Sequence, residues 1–259
     1  MKHRVIVAGV GFTGLTSESV VEQVSERISQ RRYKRPISVF TPNTEQLIQA
    51  VEEPGFLQVL NSSEVRVPDS IGVIGADWWR AFTTGRAWKI RERVAGVDLA
   101  ENLLSEARVR GWKVTLIGGR GKASESAVGN LKKRFGGLDI WKVPVGKVNY
   151  DAKNMDLTME NEDWVINRIN EIRPDLLLVG FGAPKQEVWV MKYGGKLSIQ
   201  AVMVVGGAID MWSGIQTRAP QWMRQWGLEW LWRLGQQPWR IGRQLRLVKF
   251  GWMVLWGRV

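Results

Sequence analysis

The chain alternates short apolar, β-branched runs with segments of helical periodicity, and this alternation limits its fold more than any other feature. The runs share a length of three to five residues and lie at 4–8, 37–40, 65–67, 114–117, 140–143, 176–179 and 202–205. Helical patterns intervene, among them those at 44–51, 97–108, 124–135 and 164–172. Because strands that are apolar on both faces are typical of covered parallel sheets, the sequence predicts an α/β fold with a doubly wound, mostly parallel sheet.

Glycines follow several of these apolar runs. They occur at 9–14, 118–121, 180–182 and 206–207. In an open parallel sheet, ligands bind outside the carboxyl ends of the strands, so this edge is the predicted site. Gly118 and Gly119 precede two cations and a helical pattern, an arrangement whose free backbone amides suit a phosphate group.

The first glycine cluster, GVGFTG at 9–14, matches the dinucleotide pattern G-x-G-x-x-G after a strand. The acid that would hold a ribose at the end of the second strand is missing, since ISVF is followed by Thr41, Pro42 and Asn43. An NAD-dependent oxidoreductase is therefore retained only as an alternative, and a tight strand-to-helix turn is preferred.

Other strand ends carry polar side chains with two possible roles each. Thr41 and Asn43 suit a helix cap or a pair of groups that line the cleft. Asp69, in PDSIG, suits a turn or a general base that takes a proton from an acceptor hydroxyl. Arg93 suits a solvated helix start or the binding of a diphosphate.

The formal charge of +12 is concentrated near the C-terminus. Residues 212–259 hold eight of the fifteen Trp, seven Arg and one Lys, against the single acid Glu229. A segment this cationic and aromatic suits an anionic membrane surface, and the apolar run FGWMVLW at 250–256 favours lipid over a nucleic-acid-binding module, the second alternative. We therefore predict a catalytic core over 1–211 and a helical, membrane-associating appendage over 212–259.

The composition also excludes several kinds of site. The chain has no Cys and one His, which excludes a disulfide framework and makes a Ser-His-Asp triad or a multi-histidine metal site improbable. No run of about 18 to 20 apolar residues is long enough to span a bilayer, and the first residues suit a strand better than a secretory signal. The expectation is a cytoplasmic protein, peripheral on the inner face of the plasma membrane, with no metal and no cofactor.

Taken together and in order, the motifs resemble the WecG/TagA/CpsF family of bacterial glycosyltransferases. They are TPN at 41–43, PDSIG at 68–72, RVAGVDL at 93–99, GGRG at 118–121, GAPKQEVW at 182–189, GGAIDMWSG at 206–214, RAPQWM at 218–223 and GLEWLWRL at 227–234. The resemblance implies an inverting, metal-independent transferase. Its expected partners are a UDP-sugar donor of the N-acetylmannosamine type, a polyprenyl-diphosphate-linked N-acetylglucosamine acceptor and the membrane, with no nucleic acid; a homo-oligomer is left open.

The resemblance also implies roles for individual residues. Asp69 corresponds to the proposed base, and Thr41, Asn43, Arg93 and Gln186 correspond to cleft residues. The arginines that approach the diphosphate when the appendage docks are matched by Arg218, Arg233, Arg240 and Arg243. The chain departs from the family pattern at Ser70, where the family commonly has Gly, so a Cβ is expected to alter this loop.

Overall fold

The computed structural model describes residues 5–31, 35–238 and 241–257, without the side chains of 243–245. Within this part of the chain the strands are β1 (Val5–Val7), β2 (Val10–Phe12), β3 (Ile37–Phe40), β4 (Val65–Arg66), β5 (Val114–Gly118), β6 (Ile140–Val143), β7 (Val148–Asp151), β8 (Asp156–Met159), β9 (Leu176–Gly180) and β10 (Ala201–Val204). Six of them form one sheet in the order β4-β3-β10-β9-β5-β6. Every pairing in this sheet is parallel, which confirms the predicted α/β class.

Helices cover both faces of the sheet. They are α1 (Ser17–Gln30), α2 (Thr44–Glu52), α3 (Pro54–Ser62), α4 (Ile71–Thr84), α5 (Gly96–Arg110), α6 (Ala123–Arg134), α7 (Glu162–Ile172), α8 (Lys185–Tyr193), α9 (Ala208–Trp212), α10 (Gln221–Gln225), α11 (Glu229–Gln236) and α12 (Ile241–Leu255). A short 3-10 helix, Gly194–Lys196, follows α8. None of the described helices is long and apolar enough to cross a membrane.

Alternate side chains of each central strand enter two separate cores. Leu177 belongs to the core under α2, α3 and α8, whereas its neighbour Leu178 belongs to the core under α1, α5 and α6. All five residues of β5 and of β9 are buried. This two-sided burial is why the strands are apolar throughout rather than alternating, and it leaves only their ends free for function.

The first glycine cluster lies in a different place from the one expected. β1 pairs antiparallel with β2, outside the main sheet, through a turn at Ala8 and Gly9. Both turn residues have positive φ, 50° and 79°, as a two-residue hairpin turn requires. The strand therefore leads into another strand instead of a helix, so the expectation of a strand-to-helix turn was wrong and the dinucleotide motif loses its structural context.

Besides β2, the elements missed from the sequence include the hairpin β7–β8, helix α3 and helix α4. The hairpin is antiparallel and carries polar residues on its exposed positions, so it lacks an apolar run. Helix α4 contains Gly72 and Gly75, which lower helix propensity. Its position directly after Asp69 makes α4 one wall of the candidate site.

The C-terminal helices form the predicted helical appendage. Helix α12 packs against α2 and α4, and Phe250 at its centre is 3 % exposed within one of the two cores. Lys249 and Arg246 of α12 form ion pairs with Glu52 of α2. Trp212 is buried and its indole donates to Glu101 of α5, so this residue, predicted as the first of the appendage, packs with the core.

Candidate active site

A cavity of about 740 Å³ lies at the carboxyl ends of β3 and β4, between α4, the start of α5 and the appendage. Its volume is within the range typical of ligand sites. One end is charged or polar and is lined by Asn43, Asp69, Arg93, Glu229 and Arg233. The other end is apolar, so the cavity as a whole is amphipathic.

Asp69 lies at the charged end, where three segments of the core meet. Its backbone amide donates to the carbonyl of Pro42 at 3.1 Å, and the Val94 amide donates to the carbonyl of Pro68 at 2.9 Å. The backbone amide of Gly96, the first residue of α5, lies near the carboxylate and lowers its pKa. The N-terminus of this helix therefore faces the carboxylate and favours its ionised form.

Burial has the opposite and larger effect on the same carboxyl group. Desolvation raises the pKa of Asp69 from 3.8 to about 7, helped by the nearby Glu229 carboxylate. The Arg93 guanidinium, the Gly96 amide and the Arg233 guanidinium act to lower this pKa but do not cancel the rise. A carboxyl group that titrates near neutral pH is suited to accept a proton during catalysis.

Thr41 and Asn43 both lie near Asp69, although Thr41 does not line the cavity. A Cβ on Gly96 would lie 2.7 Å from Thr41 Oγ1 and 3.5 Å from Asp69 Oδ2, so the glycine allows both side chains to approach the helix start. The Asn43 side chain caps α2 by accepting from the Gln46 amide at 3.1 Å, and Asn43 also lines the cavity. Both roles proposed for Asn43, cap and lining group, are therefore compatible.

Ser70 adopts an extended backbone with φ −137° and ψ 145°, which does not require glycine. Its hydroxyl lies 2.7 Å from the Thr44 hydroxyl and accepts from the Thr44 amide at 3.2 Å. The Ser70 side chain thus ties this loop to α2, a contact that glycine at this position would lack.

Arg93 joins the core to the appendage. Its guanidinium donates to the Arg224 carbonyl at the end of α10, 3.0 Å away, and to the Glu229 carboxylate of α11. The side chain is only 18 % exposed. Arg93 thus lies at the charged end of the cavity and fixes the two short helices above it.

Arg218 and Arg233 reach the same region from the appendage. Arg218 forms an ion pair with Asp98 in the first turn of α5 at 2.6 Å, and its Nε lies 4.0 Å from Glu229. Two of its buried nitrogens, Nε and Nη2, have no hydrogen-bond partner. Arg233 packs over the end of β10, since a Cβ on Gly207 would lie 2.6 Å from its Nη2. Arg240, and the side chain of Arg243, lie outside the described residues.

Gly118 and Gly119 lie at the same edge of the sheet but outside the cavity, at the end of β5. Their φ angles are 104° and 84°, and a Cβ on them would meet the Gly180 carbonyl oxygen at 2.4 Å and Ile209 at 2.9 Å. The Gly119 amide donates to the Gly180 carbonyl at 3.1 Å. These glycines allow the ends of β5 and β9 to approach closely, and the structure does not bring them beside Asp69.

Gln186 uses its amide group within the protein. Its Oε1 accepts from the backbone amides of Gly182 at 3.2 Å and Gly206 at 3.0 Å, and its Nε2 donates to Glu187. The side chain is 5 % exposed. Gln186 therefore connects the loops that follow β9 and β10 and does not line the cavity.

The apolar end of the cavity is built by residues that the sequence reasoning did not assign to a site. They are Trp78 and Trp79 of α4, Trp230 and Trp232 of α11, and Leu247, Phe250, Val254 and Leu255 of α12. Glu229 was also missed as a site residue. The available signal for it was its isolation as the single acid among residues 212–259.

Comparison with known proteins identifies the family that this chain matches and several relatives. The sequence model of the glycosyl transferase WecG/TagA/CpsF family matches residues 5–259. Relatives from Staphylococcus aureus strains MRSA252, MW2 and NCTC 8325 are each 27 % identical over 240 residues, covering 93 % of this chain and 87 % of their own length. Each of these relatives is named N-acetylglucosaminyldiphosphoundecaprenol N-acetyl-beta-D-mannosaminyltransferase.

Proposed function

The chain belongs to the glycosyl transferase WecG/TagA/CpsF family, and we propose that it moves an N-acetylmannosamine-type sugar from a UDP-sugar to a polyprenyl-diphosphate-linked N-acetylglucosamine. The observation that carries this proposal is the position of Asp69, whose pKa is about 7, among arginines at the charged end of an amphipathic cavity. The named relatives support the choice of acceptor and transferred sugar.

In the proposed reaction Asp69 takes the proton from the acceptor hydroxyl. The hydroxyl oxygen forms a bond to the anomeric carbon of the donor sugar, and the bond from that carbon to the UDP oxygen breaks, with its electron pair leaving on UDP. Attack from the side opposite to UDP inverts the anomeric carbon. A positioned general base contributes about 10²- to 10⁴-fold in rate.

The negative charge that develops on UDP is met, in this proposal, by Arg93, Arg218 and Arg233 without a metal ion. The two unpartnered nitrogens of Arg218 support this role, since buried guanidinium groups favour a bidentate anionic partner. Fixed cations aimed at the leaving group stabilise the transition state more than mobile ones do. Because Arg218 and Arg233 belong to the appendage, the site is complete only with the appendage in place.

The amphipathic cavity supports a lipid-linked acceptor. Its charged end suits a diphosphate and a sugar, and its wall of tryptophans and aliphatic side chains suits a polyprenyl chain. A soluble sugar acceptor would have no use for the apolar wall, whereas a polyprenyl diphosphate matches both ends at once.

An exposed apolar surface supports peripheral binding to the membrane from the cytoplasmic side. Helix α12 exposes Ile241, Val248, Trp252 and Leu255, helix α10 exposes Trp222, and α4 exposes Ile71, Trp78 and Phe82. Within α12 and within α4 these residues recur at spacings of seven, four and three, so each set forms one face of its helix. We call the combined exposed side chains of α4, α10 and α12 the aromatic surface.

The membrane contact proposed here uses this aromatic surface more than the cations of α12. Arg246 and Lys249 form ion pairs with Glu52 and so are directed toward the core. Tryptophans at an interface, supported by neighbouring cations, bind anionic bilayers without crossing them.

The proposal is tested by transfer from UDP-N-acetylmannosamine to a short-chain lipid-diphosphate-N-acetylglucosamine, with and without liposomes. Wild type is expected to form product, and Asp69→Asn is expected to lose at least about 10²-fold in turnover while it binds UDP as wild type does. Asp163→Asn, an exposed acid in the first turn of α7, is the matched control and should behave as wild type.

Unchanged turnover in Asp69→Asn would remove Asp69 from the role of base. UDP binding without product would keep the transferase and redirect the search to another sugar or acceptor. Affinity for RNA with neither product nor UDP binding would instead support a nucleic-acid module.

A further inference from the structure

A chain of buried polar side chains lies beneath the carboxyl edge of the sheet, and Glu187 is at its centre. Glu187 lies in the first turn of α8 and is 1 % exposed. Its Oε1 accepts hydrogen bonds from Gln46 Nε2 and from Gln186 Nε2, each at 2.9 Å. One carboxylate oxygen thus receives the amide groups of two glutamines that come from different helices.

The two glutamines extend this chain to three strand ends. Gln186 Oε1 accepts from Gly182 after β9 and from Gly206 after β10. Gln46 Oε1 accepts from the Asn43 amide at 3.2 Å, in the loop after β3. Glu187 is therefore connected to the loops after three neighbouring strands. Each connection runs through Gln46 or Gln186.

The carboxylate also decides which way each glutamine amide points. An ionised carboxylate only accepts hydrogen bonds, so the NH₂ group of each glutamine must face it and the carbonyl oxygen must face away. The outward carbonyl oxygens then accept the backbone amides of Asn43, Gly182 and Gly206. A side chain without an acceptor at this place would leave the NH₂ groups of Gln46 and Gln186 without this buried partner.

Glu187 is costly for a residue with only a packing role. Desolvation raises its pKa to about 7, and its Oε2 is buried without a hydrogen-bond partner. An apolar residue of similar size would avoid this cost. Polar groups that are kept in a core despite such a cost are expected where they hold a functional arrangement.

We propose that Glu187 is a positioning residue for the donor side of the site, and that it sets the loops after β3, β9 and β10 for a nucleoside diphosphate. This inference rests on the proposed function. Glu187 does not touch the donor; it acts through Gln46 and Gln186. The loop at Gly206 continues to Gly207, against which Arg233 packs, so a shift of this loop would also move an arginine of the charged end.

The test measures the dissociation constant for UDP by calorimetry, and the donor KM and kcat, for three substitutions at this position. Glu187→Ala removes the acceptor, and the constant for UDP is expected to rise about tenfold or more, as loss of a buried hydrogen-bonding group implies. Glu187→Gln keeps a carbonyl acceptor and is expected to stay within about threefold of wild type. Glu187→Asp keeps the charge but is one methylene shorter, so it should weaken UDP binding as Glu187→Ala does.

Asp175→Ala is the matched control for lost stability. Asp175 is also a buried acid, 7 % exposed, but it lies at the opposite edge of the sheet, where it accepts from the Lys113 amide at 2.9 Å. This variant should lower the melting temperature and leave UDP binding unchanged. If Glu187→Ala does not fold, Glu187→Asp decides the question.

Three results would overturn the inference. If folded Glu187→Ala or Glu187→Asp bound UDP as tightly as wild type, the inference would be overturned and the proposed function would remain. If Asp175→Ala weakened UDP binding as much as Glu187→Ala does, the effect of Glu187 would be explained by lost stability. Failure of the wild type itself to bind UDP would instead remove the proposed function, and the inference with it.

Discussion

The centre of the α/β core and the outer helices of the C-terminal appendage place tryptophan in opposite environments. Trp189 in the core is fully buried under the sheet, whereas Trp226 and Trp252 in the appendage are 74 % and 58 % exposed. Helix α11 has no buried residue at all. An apolar side chain becomes buried only where a second layer covers it; Trp189 has such a cover, whereas Trp226 and Trp252 have none.

The two regions also differ in how their charges are paired. Within the core, ion pairs such as Arg134–Glu101 join neighbouring surface helices. The cations of the appendage instead pair with acids of the core, as in Arg218–Asp98 and Lys249–Glu52. These ion pairs act together with the buried Phe250 of α12 to hold the appendage against the core, while other apolar side chains of the appendage, such as Trp252, face outward.

Removal of the appendage gives the largest expected effect. A chain that ends at Gly214 keeps Trp212 in its buried place but loses Arg218, Glu229 and Arg233. We expect transfer to fall by at least about 10³-fold, since loss of a single charge-stabilising donor already costs about 10²- to 10³-fold. The measurement is the transfer assay, with circular dichroism to show that the α/β core remains folded; full transfer by this shortened chain would contradict the shared site.

A matched pair of substitutions tests whether the aromatic surface binds membranes in a way that other exposed aromatic side chains do not. Trp252→Ser on α12 is expected to weaken binding to vesicles that contain phosphatidylglycerol by about tenfold, because a large apolar side chain no longer enters the bilayer interface. Trp164→Ser on α7 removes a tryptophan of similar exposure, 50 % against 58 %, and should leave binding unchanged. Equal loss in both variants would show that any exposed tryptophan suffices.

The electrostatic effect of the appendage on the pKa of Asp69 is tested at Glu229. Because the pKa of Asp69 is about 7 and the base acts when ionised, kcat/KM should rise with pH through neutrality. Glu229→Gln removes a negative neighbour that raises this pKa, so the rising limb should move to lower pH. The pH profile of kcat/KM measures the shift, with the exposed Glu171→Gln as control; an unmoved limb would mean that Glu229 does not act on the base.

The smallest effect is expected within the core, at Ser70. Ser70→Gly removes the hydroxyl bonded to Thr44, which should cost about 1 kcal/mol of stability and lower the melting temperature by a few degrees. Turnover should stay within about twofold of wild type. Ser70→Ala should show the same loss of stability if the hydroxyl is responsible. A tenfold change in the turnover of Ser70→Gly would show that glycine at this position matters for catalysis.

The sequence predicted the sheet well because each buried strand carries its own signal. The mostly apolar runs at 114–117, 140–143, 176–179 and 202–205 can each be recognised from a few consecutive residues, and each overlaps a strand of the sheet. The hairpin at Ala8 and Gly9 was mistaken for a helix entry because the glycine spacing is the same in both, and only the pairing of β1 with β2 distinguishes them.

The site was predicted less completely because its contacts join distant parts of the chain. Asp69, Thr41 and Asn43 follow adjacent strands, so the topology brings them together as expected. Arg93 and Glu229 are 136 positions apart, and no local pattern indicates their contact. The resemblance to known transferases suggested Gln186 as a cleft residue, but its role in joining two loops depends on Gly182 and Gly206, which the sequence alone does not place around it.

Arg93 contacts the appendage and also lies at the charged end of the cavity. Both roles limit the substitutions that the chain can tolerate during evolution. A substitution at position 93 disturbs the carboxylate at 229 and the helix end at 224 together. Single changes at these positions are therefore expected to be poorly tolerated, and inherited variation there should occur in pairs. An appendage taken from a related chain would function on this core only if it brought its own acid to the position of Glu229.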